Sequence, residues 1–197
     1  MRMTRGRLLL WLALALPALW IGWQWIATPE SYGFGHAIKD SGDWAAWLLL
    51  LTLAVAPLRL AFRRARWTLW LMKRRRDLGV ASFAYAAIHT AIYLVDKASF
   101  AVILEQAAGA DLLTGWLALA IFLPLAITSN DRSMRAMKRG WKRLHRLVHP
   151  AAVLVFVHWA LTAFDPVTAY VHIGILAAIE IAGWTLKRRP SGSRITA

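Results

Sequence analysis

The sequence predicts an all-α integral membrane protein, a six-helix bundle that forms a single transmembrane domain over residues 1–197. Three observations predict this fold class. Hydrophobic residues make up 59% of the chain, whereas a soluble domain averages about 45–50%. They are concentrated in six long runs, and basic residues cluster between alternate runs. The chain has no cysteine, which excludes disulfides, Fe–S clusters, thiolate zinc sites and cysteine nucleophiles.

Each apolar run is long enough to be considered as a membrane span, because about 20 helical residues cross a hydrocarbon layer of roughly 30 Å. The first run is longer than the apolar part of a secretory signal, and Pro17 is expected to bend it. The second run is uncharged only from Trp44 to Leu58, and it extends further only if Arg59 reaches the membrane surface. The six predicted spans cover residues 8–27, 44–62, 78–95, 112–129, 147–164 and 166–186.

The basic residues predict the orientation of these spans. Six spans place 22 of the 24 lysines and arginines on the side of the N-terminus, and leave only Lys39 and Lys97 on the other side with seven acidic residues. This bias predicts that both termini are cytoplasmic. A net charge of +14 would suggest nucleic acid as the partner of a soluble protein, but here the charges flank apolar runs. We therefore expect contact with membrane lipid and no nucleic-acid partner.

Two histidines inside apolar runs are the first candidate site. No charged residue lies within six positions of His158, and an imidazole in hydrocarbon is costly unless its nitrogens are used. His89 and His158 both lie 11 positions after the start of their runs. Since both runs cross in the same direction, the two rings are expected at the same depth, where they could be the axial ligands of a haem b iron.

An alternative interpretation of His89 is structural. Gly79, Ser82 and Ala86 form one helical stripe with it, which could make room for a flat macrocycle. The same stripe could instead allow close helix packing, with His89 bonded only to a backbone carbonyl.

The remaining histidines are less clearly site residues, and His145 has three possible roles. His145 could ligate a second haem, stack at a flavin or quinone site, or lie at the membrane surface. Its spacing of 13 residues from His158 does not by itself place both on one helix face, and Pro150 suits the first turn of a separate helix. His149, His36 and His172 are expected to be packing or boundary residues, with His36 in a glycine-rich loop.

Charged groups near the same side add further hypotheses. Glu180 could serve proton or quinone chemistry, or it could be protonated and bonded to a neighbour such as Trp184. The run Lys73–Arg76, including Arg75 and Arg76, could bind haem propionates, a flavin phosphate or anionic lipid headgroups. The positive-inside pattern alone would also explain this run.

Three segments of the chain have a recognisable pattern: RRRDLGVASFAYAAIHTAIY at 74–93, ITSNDRSMRAMKRGWKRLHRLVH at 127–149 and VLVFVHW at 153–159. In these segments the chain resembles the MsrQ (YedZ) family. The family is the haem-binding membrane subunit of the bacterial MsrPQ methionine sulfoxide reductase system, within the ferric-reductase-like transmembrane group. In the family pattern an aromatic residue usually follows the motif L-H-x-L-V, which is Leu144–Val148 here. This chain departs from the pattern, because His149 and Pro150 follow the motif.

The resemblance implies haem b and FMN as cofactors, with His89, His145 and His158 as the haem-associated histidines. It implies an inner-membrane redox relay that takes electrons from the quinone pool and passes them to a periplasmic molybdopterin-containing methionine sulfoxide reductase. Chemistry on the substrate would then belong to that partner. The competing hypotheses are a non-redox transporter or assembly subunit, and a stand-alone quinone-linked ferric reductase.

Overall fold

The structure is a computed structural model that describes residues 4–163 and 165–188. Arg2, Arg189 and Arg194, which contribute to the charge bias, and Phe164, the predicted end of the fifth span, lie outside the described residues. The described residues form helices and no strands. The helices are α1 Arg5–Ala27, α2 Phe34–Ala61, α3 Arg66–Lys97, α4 Phe100–Ala107, α5 Ala110–Ile127, α6 Asp131–Met137, α7 Arg139–His145, α8 Val148–Thr162 and α9 Pro166–Arg188.

Six helical segments in the described part of the chain are long and apolar enough to cross a membrane. They are α1, α2, α3, α5, α9 and the combined segment Arg139–Thr162, which contains α7 and α8. The predicted all-α membrane fold with six spans is therefore confirmed. The helices α2 and α3 begin well before their apolar runs, so His36 lies in the first turn of α2 and not in a loop.

Two short helices, α4 and α6, connect spans, and a third, α7, begins the segment Arg139–Thr162. The side chain of Asn130 caps α6 by accepting a bond from the Ser133 N–H at 2.8 Å, as expected of an asparagine N-cap. Lys138 has a φ of 48°, and this left-handed residue separates α6 from α7. Pro150 lies in the first turn of α8, where its missing N–H costs little, and His145 is the last residue of α7.

The helix α2 lies at the centre of the bundle. One face contributes Leu49, Leu50 and Leu53 to a core completed by Phe156 of α8 and Leu176 of α9. Its opposite side packs Leu48 and Val55 against α3. Large apolar side chains elsewhere are exposed, among them Ile26 at 80% and Leu19 at 67%; such a surface suits hydrocarbon and not water.

A tyrosine of α3 secures α1 next to its proline. The Tyr85 hydroxyl donates to the Leu14 carbonyl at 2.7 Å and accepts from the Ala18 N–H at 2.9 Å. These are the two groups that would bond to each other in an uninterrupted helix, so the hydroxyl is inserted into the ladder directly after Pro17. Insertion beside a proline is a recognised cause of a helix bend.

Ion pairs join α1 and α3 at the end of the bundle that is predicted to be cytoplasmic. Arg7 of α1 contacts Asp77 of α3 at 2.8 Å, and Arg74 lies 3.8 Å from the same carboxylate. The contact brings the N-terminal ends of the first and third spans together, as parallel spans require.

Candidate functional site

His89 lies in the second half of α3 and is held by α2. Its Nδ1 lies 2.8 Å from the Ile38 carbonyl oxygen. A carbonyl only accepts, so this nitrogen carries the proton and the Nε2 lone pair is left free.

His158 is held in the same way by a different helix. Its Nδ1 lies 2.7 Å from the Asp111 carbonyl oxygen of α5, so its proton is also on Nδ1. Among residues 4–163 and 165–188, neither histidine has a hydrogen-bond partner at Nε2. An imidazole whose Nδ1–H is bonded to a carbonyl and whose Nε2 is free is prepared to ligate a metal.

A glycine lies against each of these rings. A Cβ added to Gly42 would be 3.0 Å from His89 Nδ1, and one added to Gly115 would be 2.9 Å from His158 Nδ1. Each glycine follows the accepting carbonyl by four residues on its helix. That carbonyl already belongs to the helix ladder, and the missing side chain one turn later leaves room for the imidazole to reach it.

The two imidazole rings face each other inside the bundle. Their centroids are 6.3 Å apart and their planes are nearly perpendicular, at 86°. A metal bound between two imidazoles at about 2 Å from each nitrogen, with each ring centroid about 1.1 Å further away, separates the centroids by about 6 Å. The observed separation leaves room for one metal ion between the two rings.

Two residues of the stripe beside His89 contact α2. The Ser82 hydroxyl donates to the Ala45 carbonyl at 2.8 Å, and a Cβ on Gly79 would contact Thr52 at 3.5 Å. Ser82 and Gly79 therefore pack α3 against α2.

His145 is separate from this pair. Its ring stacks on Trp141 with centroids 3.9 Å apart, and its Nε2 lies 3.1 Å from the Thr128 hydroxyl. Since that hydroxyl gives its own proton to the Pro124 carbonyl at 2.6 Å, it accepts from His145. The Nε2 of His145 is therefore protonated, unlike that of the facing pair.

The neighbouring arginines Arg75 and Arg76 do not form one patch. Arg75 points into the bundle, where its Nε donates to the Thr52 carbonyl at 2.9 Å. Arg76 contacts Asp131 at the start of α6 at 2.7 Å, and this hydrogen bond holds the pKa of the Asp131 carboxyl below its usual range.

His149 and Glu180 form a pair that the sequence analysis did not predict. His149 Nδ1 lies 2.6 Å from Glu180 Oε1, so the carboxylate is bonded to a histidine and not to Trp184. The Arg188 guanidinium instead lies over the Trp184 ring, 3.7 Å from its centroid. With Arg75 these residues line a cavity of about 390 Å³. The sequence signal for the pair was two polar residues in apolar surroundings on consecutive spans.

His172 is a core residue and not a boundary residue. Only 5% of it is exposed, and its ring packs against Trp47 and Trp159 with centroids 4.5 and 4.7 Å away. Its Nδ1 bonds the Thr168 carbonyl one turn earlier at 2.6 Å. His36, by contrast, is exposed and stacks on Tyr32.

Comparison with known proteins identifies the family of the chain. The profile of the family described as "Ferric reductase like transmembrane component" matches residues 41–157, which include Gly42, His89, Gly115 and His145. A "Protein-methionine-sulfoxide reductase heme-binding subunit MsrQ" of Xanthomonas euvesicatoria pv. vesicatoria is 35% identical over 192 residues, covering 92% of this chain and 85% of the relative. The chain belongs to the MsrQ family of ferric-reductase-like membrane proteins.

Other MsrQ proteins support the same assignment. The MsrQ of Xanthomonas campestris pv. campestris is 39% identical over 161 residues, covering 80% of this chain and 71% of the relative. That of Rhodospirillum rubrum is 31% identical over 196 residues, covering 95% and 92%. No solved structure matches the chain. The MsrQ resemblance of the three sequence segments is thus confirmed, and the chain is a multi-pass membrane protein.

Proposed function

We propose that this chain is the haem b subunit of a methionine sulfoxide reductase system, and that it carries electrons across the bacterial inner membrane. The observation that carries the proposal is the facing pair His89 and His158, with centroids 6.3 Å apart. The names of the MsrQ relatives, which describe heme-binding subunits, point the same way.

The residues of the pair fit a haem that is held by two histidines. Bound haem would supply an iron that gains and loses one electron. His89 and His158 would hold the iron through Nε2. The carbonyls of Ile38 and Asp111 fix the protonated form and direction of each ring, which reduces the rearrangement that binding requires.

The charge distribution supports the proposed orientation of the protein in the membrane. The arginine-rich end would be cytoplasmic, as positive-inside bias requires, with both termini on that side. Electrons would come from the quinone pool, with FMN as a second cofactor, and leave on the periplasmic side. There they would reach a soluble molybdopterin-containing reductase subunit, which would carry out the chemistry on methionine sulfoxide.

The second group of proposed cofactor contacts lies nearer the cytoplasmic end. His145 is the proposed third haem-associated histidine, and Arg75 and Arg76 are the proposed contacts for acidic groups of the cofactors. Because the two arginines face different neighbours, each would bind such a group separately. FMN content of purified Arg75→Ala and Arg76→Ala proteins tests this part of the proposal.

Absorption spectroscopy tests the haem proposal. The purified protein reduced with dithionite is expected to show the sharp Soret and α bands of low-spin haem b. His89→Ala and His158→Ala should each abolish low-spin haem, because a single remaining imidazole cannot supply both axial bonds. His149→Ala is the matched control and should keep the haem.

The competing functions give different results. A colourless, iron-free wild-type preparation would favour a non-redox membrane protein in which the histidines only join helices. Loss of haem in His149→Ala but not in His89→Ala would contradict the ligand assignment. Transfer of electrons from the reduced protein to ferric iron or oxygen without a partner would favour a stand-alone reductase.

A further inference from the structure

The cavity beside Arg75 has one apolar side and one polar side, so it suits a ring that carries polar groups. Leu53, Ala56 and Pro57 of α2 form an apolar side, whereas Arg75, His149 and Glu180 form a polar side. Its volume of about 390 Å³ is within the range of about 300–1,000 Å³ for small-molecule sites. Glu180 lies seven residues before Lys187, which corresponds to about 10 Å of helix rise, so the cavity is at membrane depth.

The His149–Glu180 pair gives this cavity a base. Glu180 Oε1 accepts the proton on His149 Nδ1 at 2.6 Å, which leaves the Nε2 lone pair of His149 as a proton acceptor. Among the described residues no hydrogen-bond partner occupies that nitrogen. A carboxylate behind an imidazole holds its orientation and stabilises its protonated form. About two fifths of each side chain is exposed, 44% for His149 and 41% for Glu180, so a ligand can reach the pair.

The positive charges around the pair would stabilise the anion that forms when a bound hydroxyl group loses its proton. Arg75 of α3 is fixed by the Thr52 carbonyl through Nε, and the α9 residues Lys187 and Arg188 complete the basic side of the cavity. No charged residue of α2 lines it within the described chain. A hydroxyl bound here would meet a base on one side and cations that stabilise the resulting anion on the other.

We propose that this cavity binds the head of a membrane quinol and that the His149–Glu180 pair accepts its hydroxyl protons. The proposal rests on the proposed function, which supplies the electron acceptor. Each quinol would lose two protons and two electrons and become a quinone. The protons would pass through His149 towards the cytoplasmic side, and the electrons would leave one at a time for the haem iron.

The position of the pair suits this role. His149 and His158 are separated by nine residues, or about 14 Å along the helix direction, so the donor would lie on the basic side of the haem. A quinol reaches such a site from the bilayer, which matches a cavity whose apolar wall is formed by a transmembrane helix. Reduced FMN is the other two-electron, two-proton donor to be distinguished, and the experiments below include it.

The first experiment measures quinol oxidation in the haem-loaded protein. Two variants keep similar shapes: His149→Asn removes the proton-accepting nitrogen, and Glu180→Gln removes the carboxylate that stabilises the protonated imidazole. We expect both to keep the dithionite-reduced haem spectrum, while haem reduction by a short-chain quinol slows by about 100-fold or more, as for loss of a general base. Glu105→Gln and His36→Asn, which alter exposed side chains elsewhere, are matched controls and should react at the wild-type rate.

The second experiment needs no variant and no haem chemistry. An azido-quinone is cross-linked to the wild-type protein in detergent, and the labelled peptides are identified by mass spectrometry. We expect labelling of the segments that contain His149 and Glu180, and competition by unlabelled quinone but not by FMN.

The outcomes separate this inference from the proposed function. Variants that keep the haem and oxidise quinol within threefold of the wild-type rate would overturn the inference, as would labelling only at other segments or displacement by FMN alone. Absence of haem from the wild-type protein would instead overturn the proposed function, and the cross-linking result would still decide whether the cavity binds quinone.

Discussion

Replacing Gly115 by alanine should displace the His158 ring and weaken haem binding. The added methyl carbon would lie 2.9 Å from Nδ1, 3.0 Å from Cε1 and 3.2 Å from Cγ of His158. Favourable contacts between such atoms need about 3.5–4.0 Å. The ring therefore has to move by roughly half an ångström or more, away from the Asp111 carbonyl that orients it.

The magnitude follows from two losses. Overpacking of this kind costs about 1–3 kcal/mol, and the Nδ1 hydrogen bond contributes about 1 kcal/mol. If the cost falls on the haem-binding geometry, the sum of about 2–4 kcal/mol corresponds to a roughly 30- to 700-fold weaker haem affinity. Gly42→Ala should act in the same direction through His89, since its methyl carbon would be 3.0 Å from Nδ1.

Haem content per polypeptide and a haem titration of the depleted protein measure this effect. Gly174→Ala is the matched control, because a Cβ there meets nothing within 4 Å and alanine is the better helix former by about 1 kcal/mol. A Gly115→Ala protein with wild-type haem affinity and spectrum, beside a His158→Ala protein without haem, would refute the argument that this glycine sets the ring position.

Three other contacts give predictions. Tyr85→Phe should lower the free energy of unfolding by about 1–2 kcal/mol in thermal or denaturant unfolding in detergent, because it removes both bonds to α1. Asp77→Ala should destabilise the fold by about 1–3 kcal/mol in the same assay, since it leaves Arg7 and Arg74 without their carboxylate. Because Arg76 lowers the pKa of Asp131, their contact should persist at neutral pH and weaken in acid as pH falls through that lowered pKa, seen as faster hydrogen exchange in α6.

Each of these three predictions has a matched control variant. Tyr93→Phe removes only an exposed bond to Gln106 and should have a smaller effect than Tyr85→Phe. Asp43→Ala, whose partner Lys39 is exposed, should destabilise less than Asp77→Ala; equal effects would contradict the importance of burial. In the acid titration, Arg76→Gln should shift the transition in α6 upward towards the ordinary aspartate pKa of about 3.9, and an unchanged transition would show that Asp131 does not depend on Arg76.

The membrane fold, its six spans and the candidates for the facing pair could be predicted from the order of residues alone. Apolar runs of span length and the separation of basic from acidic loops depend only on the order of residues along the chain. The equal positions of His89 and His158 in parallel spans also follow from that order. Their proximity could be proposed because helix rise is constant, and the observed 6.3 Å separation agrees with that reasoning.

The partners of the polar groups could not be predicted in this way and required the packed helices. Gly42 and Gly115 lie against the histidine rings only because α2 packs against α3 and α5 packs against α8. The sequence does not show which side chain will pack against a glycine. The pairing of His149 with Glu180, the burial of His172 and the divergence of Arg75 from Arg76 depend on helix rotation. Rotation is set by packing between helices, and the weak asymmetry of these uniformly apolar spans does not specify it.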